Sequence, residues 1–376
     1  MITTEINKAM CGLRGAMAVT LAAAVLLVAV SVPLYARNKP VTDGKGKMVY
    51  LNGDVYNGNW QGGLRYGHGK LKTASGDVYE GEWVADQLIT GKVRYKDKKL
   101  GTYEGSFRNL KPDGYGKLNA KNLKQEGRWL DGKPEGIIKE KAGKEKERLV
   151  VYRDGKRTNL TVNTDGPVMG VDMSRYQSDV VWPQLYLYTD GTEPDFRTLG
   201  ADKGNVSPVE FVILKATEGG DHVDRMLATH TAEARRHNFV KGFYHFYNTT
   251  SSASVNAANY IANVHLDEDD LPPILDIERE GESVDSLLHW MHLVEKHFGR
   301  KPMIYTNERY YKMYVEGTPL EKYPLWYSRY GRKDIDRGAR LFQFTDQGLV
   351  DGIRGSKADI NVIRRGSLKD IIKSKR

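Results

Sequence analysis

A five-residue element, Tyr56-Asn57-Gly58-Asn59-Trp60, returns as Tyr79-Glu80-Gly81-Glu82-Trp83, as Tyr103-Glu104-Gly105-Ser106-Phe107 and, worn, as Gln125-Glu126-Gly127-Arg128-Trp129. The copies begin 23, 24 and 22 residues apart. A second glycine element follows each: Gly67-His68-Gly69-Lys70, Gly91-Lys92, Gly114-Tyr115-Gly116-Lys117 and Gly136. Side chains alternate along a strand, so the aromatic residues at positions one and five share a face. The central glycine permits close backbone approach or a bulge. Each copy reads as one short β-hairpin that cannot bury its aromatic face alone and stacks on the next.

The repeats occupy about a quarter of 376 residues, a length that suggests two or three units. With 40% apolar and 28% charged residues, the chain is neither a disordered polymer nor a polytopic membrane protein. The one cysteine, Cys11, excludes an intramolecular disulfide and a cysteine-cluster metal site. The net charge of +9 is unevenly placed: +3 over residues 1–40, +8 over 41–165 (25 basic, 17 acidic) and −2 over 166–376 (28 basic, 30 acidic). The basic excess lies spread through the repeats, without a concentrated helix or an aromatic–basic strand motif, so no nucleic-acid partner is expected.

Residues 16–36 form 21 positions without a formal charge, mostly Ala, Val and Leu. At about 1.5 Å per residue a helix of that length spans a bilayer core of roughly 30 Å. An uncleaved single-pass anchor over residues 1–40 is favoured over a cleaved signal peptide, whose apolar region is shorter. Flanking charges do not orient it; the chemistry below places the bulk of the chain on the cell-wall or periplasmic side, or secreted if the segment is cleaved. Cys11 precedes the apolar run and is not a lipoprotein acylation site.

From residue 167 apolar runs alternate with helical stretches. Eight strands are expected: Val168–Ser174, Phe211–Thr217, Lys241–Tyr247, Pro272–Glu278, Lys301–Asn307, Tyr323–Tyr330, Ala339–Thr345 and Asp359–Ile363. Helices fit Val223–Asn238, Ala253–His265 and Ser283–Phe298; later gaps are too short for full helices. Alternating strand and helix implies parallel sheet. The fold class is therefore α/β: a small TIM-like (β/α) barrel over 166–368, sparsely helical at its last strands. Before it come an all-β hairpin-repeat array over 44–140, a linker over 141–165 and the N-terminal membrane helix.

The strand candidates begin apolar and end polar: Asp172, Lys215 with Glu218, Tyr244 with His245, Asp276 with Glu278, Tyr305 with Asn307, Gln343 with Thr345. A (β/α) barrel carries its active site at those strand ends. Asp276 and Glu278 sit two apart in Leu271-Pro-Pro-Ile-Leu-Asp-Ile-Glu278, facing the same way among apolar neighbours. Like charges that close raise one pKa, which keeps a carboxylic acid protonated as a general acid. Glycoside hydrolysis needs such an acid and a second carboxylate, and Tyr244, Tyr305 and Trp326 suit sugar rings. Two other readings stay open: a metal-dependent hydrolase using Asp172, His245, Asp276 and Asp359, and a non-catalytic wall-binding barrel presented by the repeats.

The hairpin pattern resembles the MORN repeat. Its use is either a binding surface for an acidic partner, such as anionic lipid headgroups, a wall polymer or a protein, or a stiff soluble spacer. The second half resembles glycoside hydrolase family 25, the muramidases. Carrying the match are Gly170-Val-Asp-Met-Ser-Arg-Tyr-Gln177, Phe211-Val-Ile-Leu-Lys-Ala-Thr-Glu-Gly219, Gly242-Phe-Tyr-His-Phe246 and Pro273-Ile-Leu-Asp-Ile-Glu278. Further matches are Pro302-Met-Ile-Tyr-Thr-Asn307, Leu325-Trp326, Phe342-Gln-Phe-Thr345 and Asp359-Ile-Asn361. The resemblance implies cleavage of the β-1,4 bond after N-acetylmuramic acid in peptidoglycan, without a cofactor or metal. It makes Glu278 the general acid and Asp276 the group that orients or stabilises an intermediate formed with the sugar's own N-acetyl group; the same-strand spacing leaves direct attack by Asp276 as the other route. Asp172 and Asp359 complete the acidic floor, with Lys215, Glu218, Tyr244, Tyr305, Trp326 and Gln343 binding substrate. His222 and Phe342 depart from the family pattern, and residues 183–208 form a longer insertion than usual.

Overall fold

The computed structural model describes residues 41–188, 204–330 and 336–373. The expected membrane helix over residues 16–36 lies outside them, as does most of the 183–208 insertion. Among the described residues no helix is long and apolar enough to cross a membrane.

The repeats form an eleven-stranded antiparallel meander in which every strand pairs with its sequence neighbours. Its strands are β1 (Gly44–Val49), β2 (Val55–Gln61), β3 (Leu64–Lys72), β4 (Val78–Val84), β5 (Gln87–Arg94) and β6 (Thr102–Arg108). They continue with β7 (Lys111–Ala120), β8 (Leu123–Leu130), β9 (Lys133–Ala142), β10 (Arg148–Arg153) and β11 (Lys156–Arg157). Tyr56, Trp60, Tyr79, Trp83, Tyr103, Phe107 and Trp129 are buried on one face. Their rings meet edge to face, Tyr56 with Trp60 and Trp83 at 5.1 and 5.3 Å, Tyr103 with Phe107 and Trp129 both at 5.2 Å. The repeated glycines explain how. Gly58 faces Gly69, and Gly105 faces Gly116, across the ladder. A Cβ on Gly69 would lie 1.9 Å from the Tyr56 hydroxyl, and one on Gly116 2.2 Å from that of Tyr103. The Tyr56 and Tyr103 rings therefore each lie across a pair of glycines.

Replacing Gly116→Ala should accordingly force the Tyr103 ring off its seat and cost about 1–3 kcal/mol, as overpacking does. Thermal unfolding followed by near-UV circular dichroism reads this. Gly166→Ala, whose Cβ would meet only the Asn163 amide at 3.5 Å, should change the midpoint little.

Residues 141–165, expected as a linker, extend the sheet instead. The charged stretch 143–147 is the turn between β9 and β10, and β12 (Thr161–Val162) pairs in parallel with a barrel strand. The worn fourth copy also has a partner there. Gln125, standing where a tyrosine is expected, donates to Glu140 at 2.8 Å and to the Tyr152 hydroxyl of β10 at 3.0 Å, while Arg157 pairs with Glu140.

The barrel has eight strands: β13 (Met169–Met173), β15 (Asn205–Glu218), β17 (Val240–Phe246), β18 (Ile274–Ile277), β19 (Met303–Asn307), β20 (Leu325–Ser328), β21 (Leu341–Gly348) and β23 (Ala358–Ile363). Three short strands lie beside them: β14 (Tyr186–Tyr188), β16 (His222–Val223) and β22 (Val350–Asp351). Pairing of β13 with both β15 and β23 closes the ring. One expectation is corrected: β23 runs antiparallel to both β13 and β21. The nine residues from β21 to β23 are too few for a crossover, which needs a dozen or more, so the chain turns back as a hairpin. Helices α1 (Leu227–Arg236), α2 (Ala253–Asn263) and α3 (Val284–Phe298) cover the outside, with α4 (Glu308–Tyr310) only a single turn. Phe211, Ile213, Ile274, Met303 and Leu341 fill the interior, and Ile371 of α5 (Leu368–Ile372) packs into the same cluster.

One edge of the array packs on the barrel. The buried Arg128 guanidinium lies 3.6 Å over the Phe239 ring and donates to the His237 carbonyl at 2.9 Å; burial lowers its pKa to about 10. Arg108 donates to Glu233 at 2.6 Å, and Arg153 to Asp351 at 2.7 Å. Residues 233–239 end α1 and lead into the start of β17, the end of the barrel away from the polar strand termini.

Candidate active site

Six parallel strands deliver polar side chains at their C-terminal ends, and β23, running the other way, delivers its first residues to the same mouth. Asp172 of β13 stands directly across the ladder from Asp359 of β23. Asp172 Oδ2 accepts from Gln343 Nε2 at 2.9 Å and from Asn361 Nδ2 at 2.7 Å. The far end of each amide is fixed by groups that donate. Gln343 Oε1 accepts from the Tyr305 and Tyr330 hydroxyls at 2.7 and 2.9 Å, and Asn361 Oδ1 from Trp326 Nε1 at 2.8 Å. The two amides therefore present their N–H groups to one oxygen of Asp172. Burial, then the neighbouring Asp359, pushes the Asp172 carboxyl well above the usual range; the two amides oppose this. Asp359 is raised by burial, against a hydrogen bond from Asp172. The two carboxyls therefore titrate as a pair, both raised, the deeper Asp172 the more strongly.

Asp276 and Glu278 follow at the end of β18. Asp276 is buried, and its Oδ1 has no hydrogen-bond partner among the described residues. Burial, then Glu278, raises its pKa well above the ordinary value, against the attraction of Lys215. Glu278, half-buried, is raised by burial; the Asn307 amide, 3.3 Å from Oε1, opposes and Asp359 adds. Beside them Lys215 donates to Glu218 at 2.8 Å and Arg279 to its other oxygen at 3.2 Å. Burial would raise Glu218, but these two cations outweigh it and hold the carboxylate ionised.

The expected residues thus converge, with some changes of role. Gln343 is buried with both ends of its amide engaged, so it orders Asp172 rather than meeting a ligand. Trp326 is only 1% exposed, 4.3 Å from the Tyr305 ring, because an eight-stranded barrel is filled by its own side chains. Neither offers an open platform; Tyr244 is half-buried at the mouth, while Tyr176 and Tyr330 are 70% and 48% exposed. His245 points the other way, into the helix layer, as alternation with Tyr244 requires. It stacks on Trp290, and burial lowers its pKa to about 4. Asn256 spends its amide hydrogens on three carbonyls, so its Oδ1 accepts from His245 Nε2 at 2.9 Å and Nδ1 takes the Thr217 hydroxyl at 2.7 Å. The metal-ligand set that included His245 is therefore not assembled. Sequence reasoning quoted Asn361, Asn307 and Tyr330 without giving them a role. Asn361 was within reach, since it shares a strand face with Asp359 two residues earlier.

Residues 171–353 match the family model for Glycosyl hydrolases family 25, and residues 56–78, 79–88 and 103–120 match the MORN repeat. Residues 171–353 are a family 25 glycosyl hydrolase domain, preceded by MORN repeats. Membership in this family sets aside the reading of a non-catalytic barrel. The hydrolase is 28% identical over 228 residues to the uncharacterized protein YegX of Escherichia coli K12, covering 58% of this chain and 78% of that one. It is 31% identical over 172 residues to the autolytic lysozyme of Clostridium acetobutylicum, covering 43% of this chain and 51% of that one. Among solved structures, the lysozyme of Streptomyces coelicolor aligns at a TM-score of 0.46 and 21% identity, over 57% of this chain and 98% of that one.

Proposed function

We propose that this family 25 hydrolase is a muramidase that cuts the β-1,4 bond between N-acetylmuramic acid and N-acetylglucosamine in peptidoglycan. In this reading it is held to the membrane by residues 16–36, with the barrel on the wall side. The observation that carries the chemistry is the pairing of a half-buried acid with a raised pKa, Glu278, with a buried carboxylate whose Oδ1 is unpartnered, Asp276. The names of two relatives, an autolytic lysozyme and an N,O-diacetylmuramidase, agree with the substrate class.

Protonated Glu278 gives its proton to the glycosidic oxygen as the C1–O bond breaks. The carbonyl oxygen of the sugar's 2-acetamido group closes on C1. Asp276 Oδ1 is the acceptor available for that group's N–H, which supplies the hydrogen bond the buried oxygen lacks. Glu278, now a carboxylate, takes a proton from the water that opens the ring. Negative charge on Asp359 favours the protonated form of Glu278 before the first step.

Digestion of purified peptidoglycan by the full chain, followed by mass spectrometry after borohydride reduction, tests this. Fragments ending in reduced N-acetylmuramic acid are expected. Reduced N-acetylglucosamine ends, or no new reducing ends, would overturn the assignment.

A further inference from the structure

The repeat array is basic, but its charge is not spread evenly. Across the exposed face opposite the aromatic residues, neighbouring strands place Lys70, Glu80, Lys92, Glu104, Lys117, Glu126 and Lys139 in one row, each opposite the next. Ion pairs close at 3.1 Å for Lys70–Glu80, 3.4 Å for Lys92–Glu104 and 3.0 Å for Lys117–Glu126. The lysines there are matched rung by rung, as opposite-charge cross-strand pairs are. The excess lies elsewhere. Residues 94–101, 120–124 and 141–148 hold ten basic and three acidic residues, net +7, against +8 for all of 41–165. These are the turns after β5, β7 and β9 with their flanks, and an antiparallel meander puts all three on the same edge.

Lys96, Lys98 and Lys99 in the first turn, Lys121 in the second, and Lys144 and Lys146 in the third are exposed, and none has an ion pair among the described residues. Alternate turns of a meander are about 10 Å apart, so the three form a single file roughly 20 Å long. The opposite edge carries Arg108, Arg128 and Arg153, which hold the barrel. The basic file therefore faces away from the barrel.

We propose that this file of three turns binds a flexible linear polyanion whose phosphate groups repeat along its backbone, so that the array grips an anionic polymer at one edge and holds the hydrolase at the other. A chain fits this geometry better than a plane. The first two turns on the same edge present Asp54 and Asp77 and no lysine, so a flat anionic surface laid along the whole edge would meet acids as well as bases. No aromatic ring is exposed in the three turns, so there is no platform on which nucleic-acid bases could stack. Lysines act on phosphate as point charges, which suits a flexible partner without fixed register.

The test uses the full chain and its Lys98→Glu, Lys121→Glu, Lys144→Glu triple variant, titrated with fluorescent inorganic polyphosphate and with vesicles of phosphatidylglycerol or phosphatidylcholine. The wild type should bind polyphosphate, more weakly as salt rises, and the variant at least tenfold more weakly at the same ionic strength. Hydrolysis of short soluble glycan fragments should be equal in the two proteins, which also shows that the variant is folded. Polyphosphate binding lost in the variant supports the proposal whatever the vesicles show. No polyphosphate binding, binding to anionic vesicles in its place, or binding that the three reversals leave unchanged overturns it.

Discussion

Glu278→Gln is expected to lower the rate of glycan cleavage by roughly 10³-fold, the usual worth of a positioned general acid, while leaving retention on insoluble peptidoglycan intact. The amide keeps the shape and can still meet the Asn307 side chain, but it has no proton to give the leaving oxygen. The same group sets the pH dependence of the wild type. Burial raises the Glu278 pKa, the Asn307 hydrogen bond opposes and Asp359 adds. Since the protonated form performs the first step, activity should be full below the elevated pKa and fall as pH rises through it. Asp359→Asn removes one raising cause, so this alkaline limb should move to lower pH, with the protein still folded by circular dichroism. Reducing-end assays across pH read both results. A Glu278→Gln protein that retains a third of wild-type turnover, or an Asp359→Asn limb that does not move, would remove Glu278 from the role of acid.

Much of this arrangement was legible in the chain. Eight apolar runs that turn polar at one end are what a barrel with its site at the strand termini requires, and each became a strand. The Tyr-x-Gly-x-Trp spacing gave the hairpins because ring, glycine and cross-strand glycine are local to one rung. Features set by pairing partners were less visible. The antiparallel course of β23 follows from the shortness of the loop before it, which counts residues but does not name a partner. The inward turn of Trp326 and the outward turn of His245 depend on which pleat face closes the ring. A stretch as polar as 139–148 reads as a solvated linker or an exposed ribbon end, and only the pairing of its flanks as β9 and β10 decides for the second. Charge behaved likewise: the total for residues 41–165 is plain, but its division into a matched row and an unmatched edge depends on register.

The second large effect falls on stability. Asn361→Leu should cost about 2–4 kcal/mol, since it keeps the side chain's bulk while leaving two buried groups short of partners. Trp326 Nε1 loses its acceptor, and Asp172 Oδ2 loses the closer of its two amide donors. These losses differ in pH dependence. The indole N–H does not titrate, so its share of the deficit is constant. Asp172 has a folded pKa raised above its unfolded value, chiefly by burial and then by Asp359. Such a group stabilises the fold fully below the unfolded pKa, near 3.9, and that stability is lost as pH rises through the folded pKa. The Asn361 amide limits this loss in the wild type because it favours the ionised form. The variant's deficit should therefore be smaller near pH 4.5 than near pH 8. Urea unfolding at the two pH values measures it. An equal deficit at both would show that Asn361 serves the tryptophan alone, and a deficit below about 0.5 kcal/mol would mean that the amide pair does not order the acidic floor.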